Sequence, residues 1–205
     1  MYRFLLAATV FTFGTVAPAA AAIIVYETSL SGGAEEPSTP SAGTGTATLT
    51  FDSDLNTMTL EVAFSGLTGT VTAAHIHCCT AAPVAGNVGV ATAVPTFPGF
   101  PAGVTSGSYA MTFDLTLPSS FNPAFVTANG GTPAGAEAAL LAGVAEGRAY
   151  LNIHTAAFPA GEIRGFLVPA RAIPEPAAIG LFALGIGALA LARRGRKRRG
   201  HGPRA

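Results

Sequence analysis

The middle of the chain is dominated by short runs in which hydrophobic and polar residues alternate. In one of them, Met58, Leu60, Val62 and Phe64 are each separated by a single polar or small residue. Successive side chains of a β-strand point to opposite faces, so such a run predicts a half-buried strand. Strands are predicted in this way over residues 23–30, 46–51, 58–64, 73–79, 108–117, 148–154 and 162–168.

Glycine- and proline-rich segments separate the predicted strands and indicate loops. The longest are residues 31–45 and 80–107. We expect Phe97 and Phe100, in the second of these loops, to cover an edge of the core.

A single helix interrupts the strand pattern. Thr132 is a suitable N-cap, Pro133 fits the first helical position, and Gly147 provides a C-terminal stop. Gly143 lies inside this helix and is expected to weaken it by roughly 1 kcal/mol relative to alanine. The pattern predicts an all-β fold, a Greek-key-like β-sandwich or a barrel-like domain, with one short helix.

The N-terminus has the features of a secretory signal peptide. Arg3 is followed by an apolar run over residues 4–16 and by small residues at 17–22. We predict that residues 1–22 are removed by signal peptidase and that a domain over residues 23–172 follows.

The C-terminus has three parts in a fixed order. Pro174-Glu175-Pro176 precedes sixteen uncharged residues, 177–192, which are followed by a basic cluster at 193–199 and a tail at 200–205. Sixteen helical residues at about 1.5 Å each are short for a bilayer core of about 30 Å. Flanking side chains can snorkel, and the basic cluster would stay on the cytoplasmic side. We predict a C-terminal hydrophobic, membrane-inserted helix.

Charge is distributed unevenly along the chain. Residues 23–172 contain ten acidic residues and three arginines, a net charge of −7. An acidic domain argues against a nucleic-acid partner, because phosphate contacts need clustered Lys and Arg. It is compatible with cation binding, although we interpret Glu35 and Glu36 of the first long loop as solvated charges.

Three histidines are the candidate metal ligands. His75 and His77 share one face of their predicted strand, and His154 ends a later strand of similar composition. Imidazoles at i and i+2, with a third from a neighbouring strand, suit copper or zinc. Cys79 on the same face, or Glu162, is a candidate fourth ligand. The alternative is that these histidines are structural and bond backbone carbonyls.

The two cysteines are adjacent. Export implies an oxidising compartment, in which disulfides persist. Neighbouring Cα atoms lie about 3.8 Å apart, less than the usual disulfide range, so a bond between Cys78 and Cys79 is strained but possible. A thiolate ligand, an intermolecular bridge and reduced thiols remain alternatives.

Motifs for catalysis are lacking. The sequence has no Gly-x-Ser-x-Gly motif and no phosphate-cradling glycine loop. Glu162 and Arg164 fall on one face of the last strand and are expected to pair. We expect no enzymatic activity.

The three-part C-terminus resembles the PEP-CTERM sorting signal of Gram-negative bacteria over residues 173–199. The resemblance implies recognition by a membrane-embedded exosortase, processing near Pro174, Glu175 and Pro176, and a transient inner-membrane anchor. Proteins with such signals are associated with extracellular polysaccharide and biofilm.

Three motifs of the predicted domain resemble the CHRD (chordin-type) domain over about residues 26–168. They are Ala-Ala-His-Ile-His at 73–77, Tyr-Leu-Asn-Ile-His-Thr at 150–155 and Phe-Pro-Ala-Gly-Glu-Ile-Arg-Gly at 158–165, and residues 30–37 fit the usual start of the domain. The resemblance implies an extracellular β-sandwich or barrel-like domain without a settled activity. Cys78-Cys79 and residues 96–107 depart from the family pattern.

Two functions are compatible with these features. The first is a non-enzymatic module of the cell surface or extracellular matrix, linked to exopolysaccharide or biofilm. The second is an extracytoplasmic metal-binding protein with a redox or metal-storage role that uses His75, His77 and His154.

Overall fold

The computed structural model describes residues 23–170. The helices within this range are α1, Pro123–Ala128, and α2, Pro133–Ala145. The strands are β1, Ile23–Ser31; β2, Thr44–Asp52; β3, Thr57–Ser65; β4, Val71–Cys78; β5, Gly107–Asp114; β6, Ala149–Thr155; β7, Ile163–Phe166; and β8, Val168–Pro169.

The strands form one curled antiparallel sheet, a half-barrel. Their order is β4-β6-β7-β1-β2-β3-β5, and β8 pairs with β1. The predicted all-β, barrel-like fold is therefore confirmed. The sequence predicted α2 but not α1. Asn122 caps α1 and Pro123 begins it, but its six residues are too few to show a helical period.

The core lies on one face of the sheet. The alternation in β3 is confirmed, because Met58, Leu60, Val62 and Phe64 are all buried. Phe97 and Phe100 cover the core as expected, and the Phe100 ring stacks on Phe64 with centroids 5.7 Å apart.

β4 and β6 position the candidate site, and both of their faces are buried. Their apolar face joins the core through Ala74, Ile76, Leu151 and Ile153. The polar face carries the histidines, and loops cover it. The loop after β4 also binds the outer edge of that strand, with Ala91 N–H donating to Ile76 C=O and Phe97 N–H donating to Ala74 C=O. This loop places backbone carbonyls directly over the histidine side chains.

Within residues 23–170, the structure contains no helix that is long and apolar enough to cross a membrane. The predicted signal peptide (1–22), the hydrophobic helix (177–192), the sorting residues Pro174, Glu175 and Pro176 and the tail (200–205) lie outside the described residues.

A candidate metal centre of three histidines

His75, His77 and His154 come together on the covered face of the sheet. His75 and His77 lie on β4, and His154 lies on the neighbouring strand β6, opposite Ala73. One ring nitrogen from each lies within 4.8 Å of the other two. The ring centroids are 5.3–5.9 Å apart. Two histidines two residues apart and a third from the adjacent strand thus form one cluster.

Each of these histidines has one ring nitrogen bonded to a backbone carbonyl. His75 Nε2 lies 2.7 Å from Pro95 O, His77 Nδ1 lies 2.8 Å from Val88 O, and His154 Nδ1 lies 3.0 Å from Pro159 O. A carbonyl only accepts, so the bonded nitrogen of a neutral ring carries the proton and the other has a free lone pair. Metal-ligating histidines are usually oriented in this way by outer partners.

The lone-pair nitrogens of the three rings are buried and have no hydrogen-bond partner. They are His75 Nδ1, His77 Nε2 and His154 Nε2. Burial lowers the pKa of all three imidazoles, and it lowers the pKa of His77 to about 4. At neutral pH the rings are therefore uncharged, the state in which imidazole binds a metal.

An aromatic and a cationic side chain pack in sequence against His77. The Tyr150 ring stacks on His77, with centroids 4.8 Å apart and planes 6° from parallel. The Arg164 guanidinium lies over the other side of Tyr150, 4.7 Å from the ring centroid. This stacking fixes the plane of the His77 ring.

Arg164 does not pair with Glu162, so the predicted ion pair is wrong. The buried guanidinium lies 3.9 Å from Glu35 and 3.4 Å from Glu36 and donates to Asn87 Oδ1. Its partners come from loops that sequence spacing does not relate to β7.

The Glu162 carboxylate is fully buried and accepts four hydrogen bonds. The donors are the hydroxyls of Ser41 and Thr155 and the backbone N–H groups of Thr68 and Gly69. Burial opposes its ionisation, but the donors outweigh burial and hold its pKa below the usual value. Through these bonds Glu162 connects two loops to the end of β6, and it lies outside the histidine cluster.

Cys79, the other candidate fourth ligand, is also not placed with the histidines. β4 ends at Cys78, and the two cysteines are joined by a disulfide. The Cys79 sulfur lies 3.5 Å from Ala139 O of α2. A Cβ atom added to Gly143 would collide with both sulfurs, so this glycine allows α2 to contact the disulfide.

Two acceptors near the cluster were missed by the sequence analysis. Glu35 Oε1 and Asn152 Oδ1 are buried and have no hydrogen-bond partner. The interpretation of Glu35 as a solvated charge is wrong, since the residue is only 9% exposed. Burial raises the pKa of Glu35 to about 7, against the opposing effects of Arg164 and Asn152. A Glu in a Gly- and Pro-rich loop gives no local signal of burial.

Both acceptors line a cavity that reaches the cluster. The cavity has a volume of about 470 Å³, and His77, Asn152 and Glu35 are among its lining residues. Asn152 is the cross-strand partner of His75 and lies two residues before His154 on the same strand. The cavity therefore adjoins two of the strands that hold the histidines.

The fold and this site define an all-β domain that carries a buried three-histidine cluster on one face of a half-barrel. A family model described as the CHRD domain matches residues 26–167. The chain belongs to the CHRD domain family. The PEP-CTERM protein-sorting motif matches residues 172–198. No significant match to a curated protein or to a solved structure was found.

The sorting motif identifies an exported protein with a C-terminal anchor that is processed by an exosortase. The predicted exosortase partner and the extracellular destination are therefore supported. The described residues are the part of this exported chain that contains the candidate metal centre.

Proposed function

We propose that the domain binds one copper or zinc ion through His75, His77 and His154, and that the protein is an extracytoplasmic metal-binding protein with a redox or metal-storage role. One observation carries this proposal. Each of the three histidines has one buried ring nitrogen without a hydrogen-bond partner, and one ring nitrogen of each lies within 4.8 Å of a ring nitrogen of the other two.

The type and the spacing of the ligands both favour copper or zinc. Imidazole suits these ions, whereas magnesium and calcium prefer oxygen ligands. Zinc–nitrogen bonds of about 2.0–2.1 Å in a tetrahedral site would place the nitrogens ~3.4 Å apart. The rings need to close from the present spacing by small side-chain rotations.

The test is metal content measured on a chain that keeps its C-terminal tail, exported by a host that lacks an exosortase and purified in detergent. After reconstitution with copper or zinc and removal of loosely bound ions, mass spectrometry should find one ion per chain. His75→Ala and His154→Ala should each weaken binding by at least about tenfold. His201→Ala is the matched control, because it removes the fourth histidine of the chain and should retain the metal.

A wild-type protein without stoichiometric metal after both reconstitutions would refute this function. So would equal metal content in the His75→Ala and His201→Ala proteins, because the ion would then be bound elsewhere.

The sorting motif supports a second candidate, a binding or structural module of the cell surface or matrix linked to exopolysaccharide or biofilm. A clean deletion should then reduce biofilm or extracellular polymer. Complementation with the His75→Ala gene separates the two functions. The variant gene should restore biofilm and polymer if the module is purely structural, but not if its role depends on the metal. An unchanged biofilm and polymer in the deletion strain would refute the second candidate.

A further inference from the structure

Five buried side-chain atoms lack a hydrogen-bond partner within residues 23–170, and they belong to one region. Three are the lone-pair nitrogens of the histidines, and the other two are Glu35 Oε1 and Asn152 Oδ1. An unsatisfied buried polar atom costs about 1–3 kcal/mol. A metal ion would satisfy the three nitrogens and leave the two oxygens, which both require a donor.

We propose that the fourth coordination position of the metal holds an exchangeable hydroxyl ligand, a water or an alcohol group, whose protons are accepted by Glu35 and Asn152. The inference rests on the proposed metal site and specifies what that site binds. A metal-bound water has one oxygen for the ion and two protons, and two acceptors are available. One ion and one water would thus satisfy all five atoms.

The backbone places the two acceptors together beside the histidines. The side chains of Asn152 and His75 are neighbours on adjacent strands, since directly opposed residues have Cβ atoms about 4.5–5.5 Å apart. A Cβ atom built on Gly161 would lie 2.6 Å from Asn152 Oδ1 and 2.8 Å from Glu35 Oε1. Both oxygens therefore lie against Gly161, and the absence of a side chain there lets them come together.

The protein side chains considered as fourth ligands are engaged elsewhere. The sulfur of Cys79 is bonded to Cys78, and the Glu162 carboxylate has four donors of its own. A three-histidine site with an unfilled fourth position is the usual arrangement of zinc centres that bind an exchangeable ligand.

The cavity of about 470 Å³ provides the route by which such a ligand enters. It lies between the loop after β1 and the turn between β6 and β7. Its walls are largely apolar and are formed in part by Pro37, Pro40, Phe158 and Pro159. Such walls suit the C–H surface of a small polyol, and the volume is in the range of small-molecule sites.

The charges of the cavity wall favour a neutral ligand over an anion, and the charge of the metal disfavours an ammonium ion. No Lys or Arg is among the described residues that line the cavity, whereas Glu35 and Glu36 are. Arg164, which does not line the cavity, is already paired with the carboxylates of Glu35 and Glu36. A protonated amine lacks a lone pair for the metal and is repelled by its charge. A hydroxyl group supplies both a lone pair and a proton.

The experiment uses the full-length protein loaded with copper(II). After exchange into D₂O, pulsed electron paramagnetic resonance should detect exchangeable deuterons on a ligand bound directly to the copper. Methyl α-D-glucoside is then added. Displacement of these deuterons, together with broadening of the glucoside proton resonances, identifies an alcohol group as a ligand. Retention of the deuterons restricts the hydroxyl ligand to water, which also supports the proposal.

Variants test the two acceptors separately from the metal. Asn152→Ala and Glu35→Ala should retain stoichiometric copper, because neither residue is a proposed ligand, but should weaken or remove the deuteron signal. Ser38→Ala, at an exposed position on the same cavity, should leave the signal unchanged.

Copper-loaded wild-type protein without directly bound deuterons would overturn this inference and leave the metal site standing. A loss of copper in Asn152→Ala as large as in His75→Ala would also overturn it, because Asn152 would then be the fourth ligand. A protein that binds no copper at all refutes the proposed function itself, so the two failures are distinguishable.

Discussion

At the scale of single residues, the two interpretations of the histidines differ in what the second ring nitrogen binds. Each ring bonds a carbonyl, as a structural histidine would. A purely structural role leaves a buried acceptor unsatisfied on every ring, at about 1–3 kcal/mol each. The carbonyl bonds are compatible with both interpretations, and the proposed metal would occupy the second nitrogen of each ring.

The metal-free protein should lose stability as the pH falls from 6.5 towards 4. The pKa of His77 is lowered from 6.5 to about 4 by burial, so the unfolded chain binds more protons in this window and acid favours unfolding. His77 alone should contribute a loss on the order of 3 kcal/mol at pH 4. Urea unfolding of wild type and His77→Phe, with a chelator present, measures this loss as a difference.

The difference is required because Glu35, with a pKa raised to about 7, changes stability in the opposite direction between pH 7 and 4.5 in both proteins. His201→Ala should follow the wild-type curve. Parallel curves for wild type and His77→Phe would show that His77 does not titrate in this window.

Glu162→Gln should destabilise the fold by about 2–4 kcal/mol, because an amide NH₂ would face hydrogen-bond donors in a buried site. The depressed pKa of Glu162 also indicates that the ionised carboxylate stabilises the fold. This stabilisation is present above pH 4.5 and is lost in acid. The measurement is urea unfolding at pH 7. Glu61→Gln, at an exposed position, is the control and should change stability by less than about 0.5 kcal/mol. Equal midpoints for the two variants would contradict this role.

At the scale of elements, the contact between α2 and the end of β4 assigns a role to Gly143. The sequence predicted only that this glycine weakens the helix. In the structure it is buried, and the space of its missing side chain is filled by the sulfurs of Cys78 and Cys79. A residue with a low helix propensity is thus explained by the packing of its helix.

Gly143→Ala should lower the free energy of unfolding by about 1–3 kcal/mol, despite the higher helix propensity of alanine, because the methyl group overlaps the disulfide. Gly89→Ala is the matched control, since a Cβ atom there meets nothing within 4 Å. Thermal unfolding of both variants checks the prediction. A stabilised Gly143→Ala protein would mean that α2 does not contact the cysteines.

The strands were predictable because each has a residue-by-residue alternation, and α2 because its cap and stop are local. The short helix α1 and the burial of Glu35 could not be predicted, since neither has a periodic signal in the sequence. Alternation showed that His75 and His77 share a face. It could not show that the loop after β4 covers that face or that Val88 and Pro95 provide the carbonyls, because these contacts join residues distant in sequence.

At the scale of the whole molecule, the proposed metal would connect the strand at one end of the sheet to its neighbour, since His75 and His77 lie on β4 and His154 lies on β6. A ligand that binds only the folded state stabilises it by mass action. The proposed centre would therefore couple metal supply to the stability of the entire half-barrel.

Zinc at about 100 times its dissociation constant should raise the stability of the protein by about 2.7 kcal/mol. For a domain of this size that corresponds to an increase in Tm of several degrees. Calorimetry with zinc and with a chelator measures the change, and His154→Ala should abolish it. An equal increase in wild type and His154→Ala would indicate binding at other sites.

The covered edge of β4 has a consequence for how copies of this domain can associate outside the cell. Backbone and hydroxyl groups of the following loop occupy the free side of β4, while β5, at the opposite end of the sheet, pairs only with β3 among the described strands. Continuous growth by strand addition needs two open edges on every copy. With the β4 edge closed, strand addition at β5 could join two copies, but a third copy would have no edge to pair with. Even at a high concentration on a cell surface, the folded domain is therefore protected from polymerising into fibrils.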